Sequence, residues 1–422
     1  MAGRTDVGSD GGAAASSSDT NVTLKIDPGV IVYADAGPTW LAVNRGNKLN
    51  AVGTADKPII FTSKDNVLGL TTDSSSGQWG GVVLMGRGQV TDCQSPSATP
   101  GTTACERQTE GAADPAVYGG NDNKASSGDL EYIQIRFSGY ALSPDNELQS
   151  LTPEAIGSDT VIDHYMSYNS SDDGAEFFGG HPHLKHYVVV GDEDDAMDTD
   201  TGTKARFQYA LVVQRQGIGD SMIEADSNNP VAGNTPRQDT RIANFTFIDR
   251  SPGNTDKASI FLHGQTDFTL INGVLVSPNN PCLRIADTQT LAAKDANKDE
   301  QGPPVFASMV MQCGSTKYVG SEGDGQGTVT ADQVAAAFGS GSNNNNDAFT
   351  PSLSDTIIDG ANEMAVKATD PKTYDSFFDS VSYIGAVRDA NDTWYKGWTC
   401  NSAAIDFGSA NGACTTLPVY EN

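Results

Sequence analysis

Ile162-Asp163-His164-Tyr165-Met166, followed by Ser171-Asp172-Asp173-Gly174-Ala175-Glu176-Phe177-Phe178-Gly179-Gly180, decides the fold, because the chain repeats it 22 residues later. The second copy reads Leu184-Lys185-His186-Tyr187-Val188 and then Glu193-Asp194-Asp195-Ala196-Met197-Asp198-Thr199-Asp200-Thr201-Gly202. A third copy, Phe207-Gln208-Tyr209-Ala210-Leu211 with Asp220-Ser221-Met222-Ile223-Glu224-Ala225-Asp226, carries about three extra residues in its turn. Degenerate copies follow in Arg241–Ile248 with Ala258–Leu262, and in Phe268–Val276 with Cys282–Asp287. A unit this short, holding two or three strands, cannot bury an apolar face alone, but coiled on itself it stacks each strand on its equivalent one turn later. The fold class is therefore all-β: a right-handed parallel β-helix, or solenoid. Neighbouring turns lie about 4.8 Å apart, so residues one repeat apart form columns. The leucine-rich L-x-x-L-x-L pattern, which competes for this period, is missing.

The same grammar extends outward. Ile59–Thr62, Val82–Met85, Leu130–Ile135, Tyr187–Val190, Ala210–Val213 and Phe268–Ile271 are short apolar runs closed by Gly, Asn or Asp, and no long helical pattern separates them. Residues 21–399 read as one β-helix domain, with insertions at about 91–128 and 286–350. Thr330-Ala331-Asp332-Gln333 has the form of a capping box, which places a short helix near 330–338. The Gly/Ser/Asp-rich residues 1–20 read as a flexible leader and residues 400–422 as a C-terminal cap stapled by a disulfide. The six cysteines fall into three local pairs, Cys93 with Cys105, Cys282 with Cys313, and Cys400 with Cys414. None lies in a CxxC or Cys/His metal pattern, so disulfides, which imply an oxidising compartment, are the better reading over free buried thiols.

Charge narrows the partners. Twenty-six Lys and Arg against 54 Asp and Glu give a formal net charge of -28, which repels nucleic acid and anionic membrane surfaces and makes cations the natural partners. The longest apolar run, Gly81-Val82-Val83-Leu84-Met85, is far too short for a transmembrane segment.

Several stretches carry a family likeness. Asp27-Pro28-Gly29-Val30-Ile31-Val32, the run from Leu49-Asn50-Ala51-Val52-Gly53 to Ile59-Ile60-Phe61-Thr62-Ser63, and Gly77-Gln78-Trp79-Gly80-Gly81-Val82-Val83-Leu84 resemble the opening of a family of secreted bacterial parallel β-helix proteins, mostly uncharacterised. Asp172 to Gly180, and the closing Tyr383-Ile384-Gly385-Ala386-Val387 with Trp394 and Gly397-Trp398-Thr399, resemble it too. The resemblance implies an outer-surface protein or outer-membrane lipoprotein of a Gram-negative bacterium, extracellular rather than periplasmic. It implies no catalytic residues.

The acidic columns are the strongest chemical signal. In the 22-residue register Asp172 stacks on Asp194 and Asp220, Asp173 on Asp195, Glu176 on Asp198 and Glu224, and Asp200 on Asp226. Like charges about 5 Å apart repel by roughly 3 kcal/mol at an effective dielectric near 20, so such a column calls for a cation. Oxygen ligands from several turns suit Ca²⁺. The plainer alternative is that these acids cap turns in solvent. Two Asp-rich loops, Asp295-Ala296-Asn297-Lys298-Asp299 and Glu322-Gly323-Asp324-Gly325-Gln326-Gly327, imitate a Ca²⁺ loop without its full pattern. His164, His181, His183 and His186 lie close in sequence, and a Zn²⁺ or Cu²⁺ site competes there with stacked histidines in the coil wall.

Function then divides three ways. The chain is a Ca²⁺-stabilised binding or structural module for glycan or an outer-membrane protein partner, or an acidic-polysaccharide lyase or glycoside hydrolase, or a subunit of a homo-oligomer or filament. The enzyme reading would use Asp173 and Asp195 as carboxylates with Lys185, Lys204 or Arg206 as base, but Gly-His-Gly and Arg-Ile-Lys elements are absent, and the module reading leads.

Overall fold

The computed structural model describes residues 1–16, 19–143, 146–227, 234–253, 258–323 and 327–420. Two parallel sheets coil around one core. The first runs from Arg4–Val7 through Trp40–Val43, Val82–Met85, Leu151–Glu154, Glu176–Phe178, Asp198–Asp200, Ile223–Ala225, Ile260–Leu262 and Leu283–Ala286 to Tyr318–Ser321. The second holds the longer strands, including Gly128–Arg136, Val161–Tyr168, His183–Val190, Arg206–Val213, Asp239–Ile248 and Asp267–Ser277. The pairing matches the repeat: Ile162 lies against Leu184 and Glu176 against Asp198. Leu184 then meets Phe207 and Asp198 meets Glu224, so the extra residues of the third copy sit in the turn and leave the strands in register. Leu84, Leu151, Phe177, Phe207, Ile223 and their equivalents turn inward and form one continuous core.

Each long strand of the second sheet bends at a single residue. Tyr132, His164, His186, Tyr209, Asn244 and Asn272 all have φ between 52° and 64°, the left-handed region, and the ladder passes over them: Asp163 pairs with Lys185 and Tyr165 with Tyr187. One such residue turns the chain through a corner without a loop. Asn tolerates this conformation, whereas His and Tyr do so at a cost. Ring stacking offsets that cost: Tyr132 lies 4.1 Å from His164, His164 4.0 Å from His186, and His186 5.0 Å from Tyr209.

All three cysteine pairs are disulfides, with Cα atoms 4.8, 5.4 and 4.9 Å apart for Cys93–Cys105, Cys282–Cys313 and Cys400–Cys414. The expected helix spans Ala331–Phe338, with Thr330 and Gln333 closing the capping box and Val334 and Phe338 buried. Three boundaries differ from the sequence reading. Arg4–Val7 is a strand paired with Trp40–Val43, so residues whose composition suggests a leader gain order from the sheet edge they complete. Val305–Ala307, Val310–Cys313 and Tyr318–Ser321 add a further turn of coil inside the stretch read as an insertion. Beyond the helix the chain leaves the two sheets and runs back along the outer face of the second. Asn272 there donates to the Thr369 carbonyl, Asn244 to that of Tyr383 and Arg136 to that of Cys414, and Trp398 is fully buried. This returning strap includes residues counted as coil up to 399.

Candidate functional site

The site begins with the turn Ser171–Gly174 and its copy Glu193–Ala196, which carry the chain into the first sheet. Asp173 is buried, and its Oδ1 accepts a 2.9 Å hydrogen bond from the backbone N–H of Asp195 one turn on. Asp195 is buried too, and its Oδ1 accepts from the N–H of Ser221 at 2.7 Å. Each Asp-Asp pair thus ties its turn to the next. Glu176, Asp198 and Glu224 follow as one column, each directly paired with the next. The column then changes character: Glu224 lies against Phe261 and Phe261 against Arg284, whose guanidinium sits 4.2 Å over the Phe261 ring.

These acids line a groove of about 320 Å³, together with Glu110, Glu147 and Gln149. Nine of the ten lining residues are carboxylic acids, and none is Lys or Arg. Glu110 comes from the disulfide-stapled insertion and Glu147 from the hairpin strand Asn146–Leu148. Gln149 donates to Glu176 at 2.5 Å. The three were not found in sequence because they stand outside the repeat and belong to no column. Within the groove, Asp172, Asp173 and Asp194 bring one carboxylate oxygen each to within 4.8 Å of one another, and so do Asp173, Glu176 and Asp198. Asp173 belongs to both triads.

Burial comes first in the electrostatics. It pushes the carboxyls of Asp173, Glu176, Asp195 and Asp198 well above the ordinary range, and the neighbouring acids push the same way. Asp172 is raised to about 7 by burial, with Asp194 and Glu147 adding to it. Asp200 is raised to about 6, its burial partly offset by Arg107. Glu224 is the exception. Burial would raise it, but the 2.9 Å contact with His263 outweighs that and holds it below the usual value. Asp226 lies 3.8 Å from the other ring nitrogen of His263. His263 thus pairs with the last acid of the column, although it is not itself among the groove's lining residues.

Other expected participants lie elsewhere. Lys185 pairs with Asp379 at 2.8 Å and sits over the Phe377 ring, while Arg206 binds Asp239 and Asp375. Both project from the second sheet beneath the strap and are not among the groove's lining residues. The histidines also divide. His164 and His186 stack and share Asp163 Oδ1, at 2.9 and 2.6 Å, whereas His183 packs on Phe377 and the His181 N–H donates to the Ile156 carbonyl. Among the described residues only Asp163, His164 and His186 of this set bring ligand atoms together. Asp295 caps a short 3₁₀ turn, accepting from Asn297, and residues 324–326 of the second Asp-rich loop lie outside the described residues.

Coil, insertions and groove together define a parallel β-helix whose first sheet borders an acidic trough. The family model of the pectate-lyase-like β-helix domain matches residues 14–399, and the chain belongs to that family. No curated protein and no solved structure matches it.

Proposed function

We propose that this chain is an exported bacterial surface protein whose acidic groove holds Ca²⁺, and that the ion-loaded coil is a binding module for glycan. One observation carries this reading: nine carboxylic acids line one groove with no basic side chain among them, in two triads that share Asp173. Carboxylates drawn from three successive turns are the hard oxygen donors that Ca²⁺ takes, and an ion there would replace the protons that burial otherwise forces onto them. Three disulfides and no free cysteine support an oxidising compartment, and membership of a pectate-lyase-like family supports a polysaccharide as ligand.

Binding is favoured over turnover because Lys185, Lys204 and Arg206, the candidate bases for a lyase, are each engaged with carboxylates outside the groove's lining. Ion-free protein should melt lower than protein in millimolar Ca²⁺, since a ligand of the folded state alone adds about 2.7 kcal/mol at one hundred times its dissociation constant. Incubation with polygalacturonate or alginate in Ca²⁺ should give retention of the glycan without unsaturated or new reducing ends. Turnover abolished by Asp195→Asn would overturn the binding reading.

A further inference from the structure

Five arginines are buried among the described residues, and four of them have a carboxylate at hand. Arg45 meets Asp10 at 2.6 Å, Arg87 meets Asp19 at 2.5 Å, Arg206 meets Asp375 at 2.6 Å, and Arg237 meets Glu300 at 3.0 Å. Arg136, only 2% exposed, is the fifth, and no described carboxylate lies within ion-pair distance of it. On a chain with 54 acids this is an exception, because a buried charge is costly unless something compensates it.

Most of its donors are committed to neutral groups. Arg136 ends the strand Gly128–Arg136, where Nε donates to Gln134 Oε1 at 2.6 Å and Nη1 to the carbonyls of Cys414 and Thr416 at 2.7 and 2.8 Å. Nη2 makes no hydrogen bond among the described residues. Burial lowers the guanidinium to about 10, so it still carries its charge at pH 7.

Arg136 lines a cavity of about 160 Å³ between the coil and the returning strap. Pro58 and Ile60 form apolar wall on the coil side, and Leu417, Pro418 and Tyr420 on the strap side. The one acid among the lining residues, Asp56, is exposed and accepts from the Thr54 hydroxyl at 2.7 Å. An apolar cavity of about 150 Å³ is enough to take a benzene ring, so a compact organic body fits this one. Charge selects the head group. One guanidinium balances one negative charge, and a second would be left uncompensated on a chain carrying -28. A carboxylate oxygen accepts the charge-assisted hydrogen bond that Nη2 has to offer.

We propose that this cavity binds a small organic monocarboxylate, with the carboxylate on Arg136 Nη2 and the apolar body against Ile60, Leu417 and Tyr420. Calorimetric titration of the full chain with benzoate tests this, with benzamide as the neutral probe of the same shape and sulfate as the dianion. Benzoate should bind saturably, benzamide about tenfold more weakly or worse, and sulfate not at all. Arg136→Gln should abolish benzoate binding. Because Arg136 also holds the strap, Leu417→Trp provides a second variant, which fills the cavity while leaving the Arg136 hydrogen bonds in place; it should abolish binding with the melting temperature near that of wild type. Asp56→Asn, which removes the one acid beside the cavity, should tighten binding. No saturable heat with benzoate, equal binding of benzamide, or benzoate binding that Leu417→Trp leaves unchanged would each overturn the proposal. The cavity shares no lining residue with the acidic groove, so its occupancy and Ca²⁺ binding are separable.

Discussion

Asp173 ties two turns together through the Asp195 N–H and belongs to both carboxylate triads, so its charge state links coil geometry to whatever fills the groove. The sign of the pH dependence follows. Asp172 and Asp200 are raised to about 7 and 6, so the folded chain binds their protons more tightly than the unfolded chain does. The stability they contribute is complete below the ordinary carboxylate range, about 4, and is lost as pH rises through 6 to 7. Without a divalent ion, the melting temperature should therefore fall between pH 5 and 8, and added Ca²⁺ should raise it most at the upper end. A Ca²⁺ effect of equal size at pH 5 and pH 8 would contradict this. Asp198→Asn, which removes one charge and keeps the shape, should raise ion-free stability by about 1–3 kcal/mol and shrink the Ca²⁺ response, while exposed Asp159→Asn should change neither. Thermal unfolding in chelator and in Ca²⁺ reads both. The column Glu176–Asp198–Glu224 was legible in the sequence because a 22-residue period converts directly into vertical stacking. His263, which lowers Glu224, was not, since it follows a copy in which the acids have already given way to Phe261.

The corner residues and the strap decide how the elements hold. Asn244 occupies the left-handed corner position and donates to the Tyr383 carbonyl at 3.0 Å, so one residue both bends its strand and docks the strap. Asn244→Ala should cost about 1–2 kcal/mol by denaturant unfolding, the sum of an unfavourable backbone conformation and a lost buried hydrogen bond. Trp398, fully buried with its indole N–H on the Trp394 carbonyl, should cost about 3–5 kcal/mol when replaced by Ala. The Cys282–Cys313 disulfide joins the coil wall to its last turn, and opening it alone as Cys282→Ser with Cys313→Ser should cost about 3 kcal/mol. The elements themselves were readable from apolar runs and their Gly, Asn and Asp stops. The path of the strap was not, because Trp394, Trp398 and Phe378 recur with no period and their partners on the coil lie more than a hundred residues earlier in the chain. Arg4–Val7 was missed for a related reason: its composition favours disorder, and only the waiting edge of Trp40–Val43 makes it a strand.

At the scale of the whole molecule, the chain is a coil whose far end is closed by the helix Ala331–Phe338 and whose first sheet borders a groove lined by acids, with no Lys or Arg among the lining residues. The groove is a product of tertiary assembly as much as of the repeat: the coil supplies Asp172 to Glu224, and two non-repeating segments raise Glu110 and Glu147 against them. That explains why the ladder was visible in sequence while the trough around it was not. The direct test is calorimetric titration of ion-free protein with Ca²⁺ at pH 7, in buffers of different ionisation enthalpy, for wild type and for Asp173→Asn. Saturable binding with release of protons is expected for wild type, because the ion displaces protons that burial holds on the carboxyls, and Asp173→Asn should lose that binding while still melting cooperatively. Absence of saturable heat and of proton release in wild type would contradict the account and return these residues to the role of turn caps.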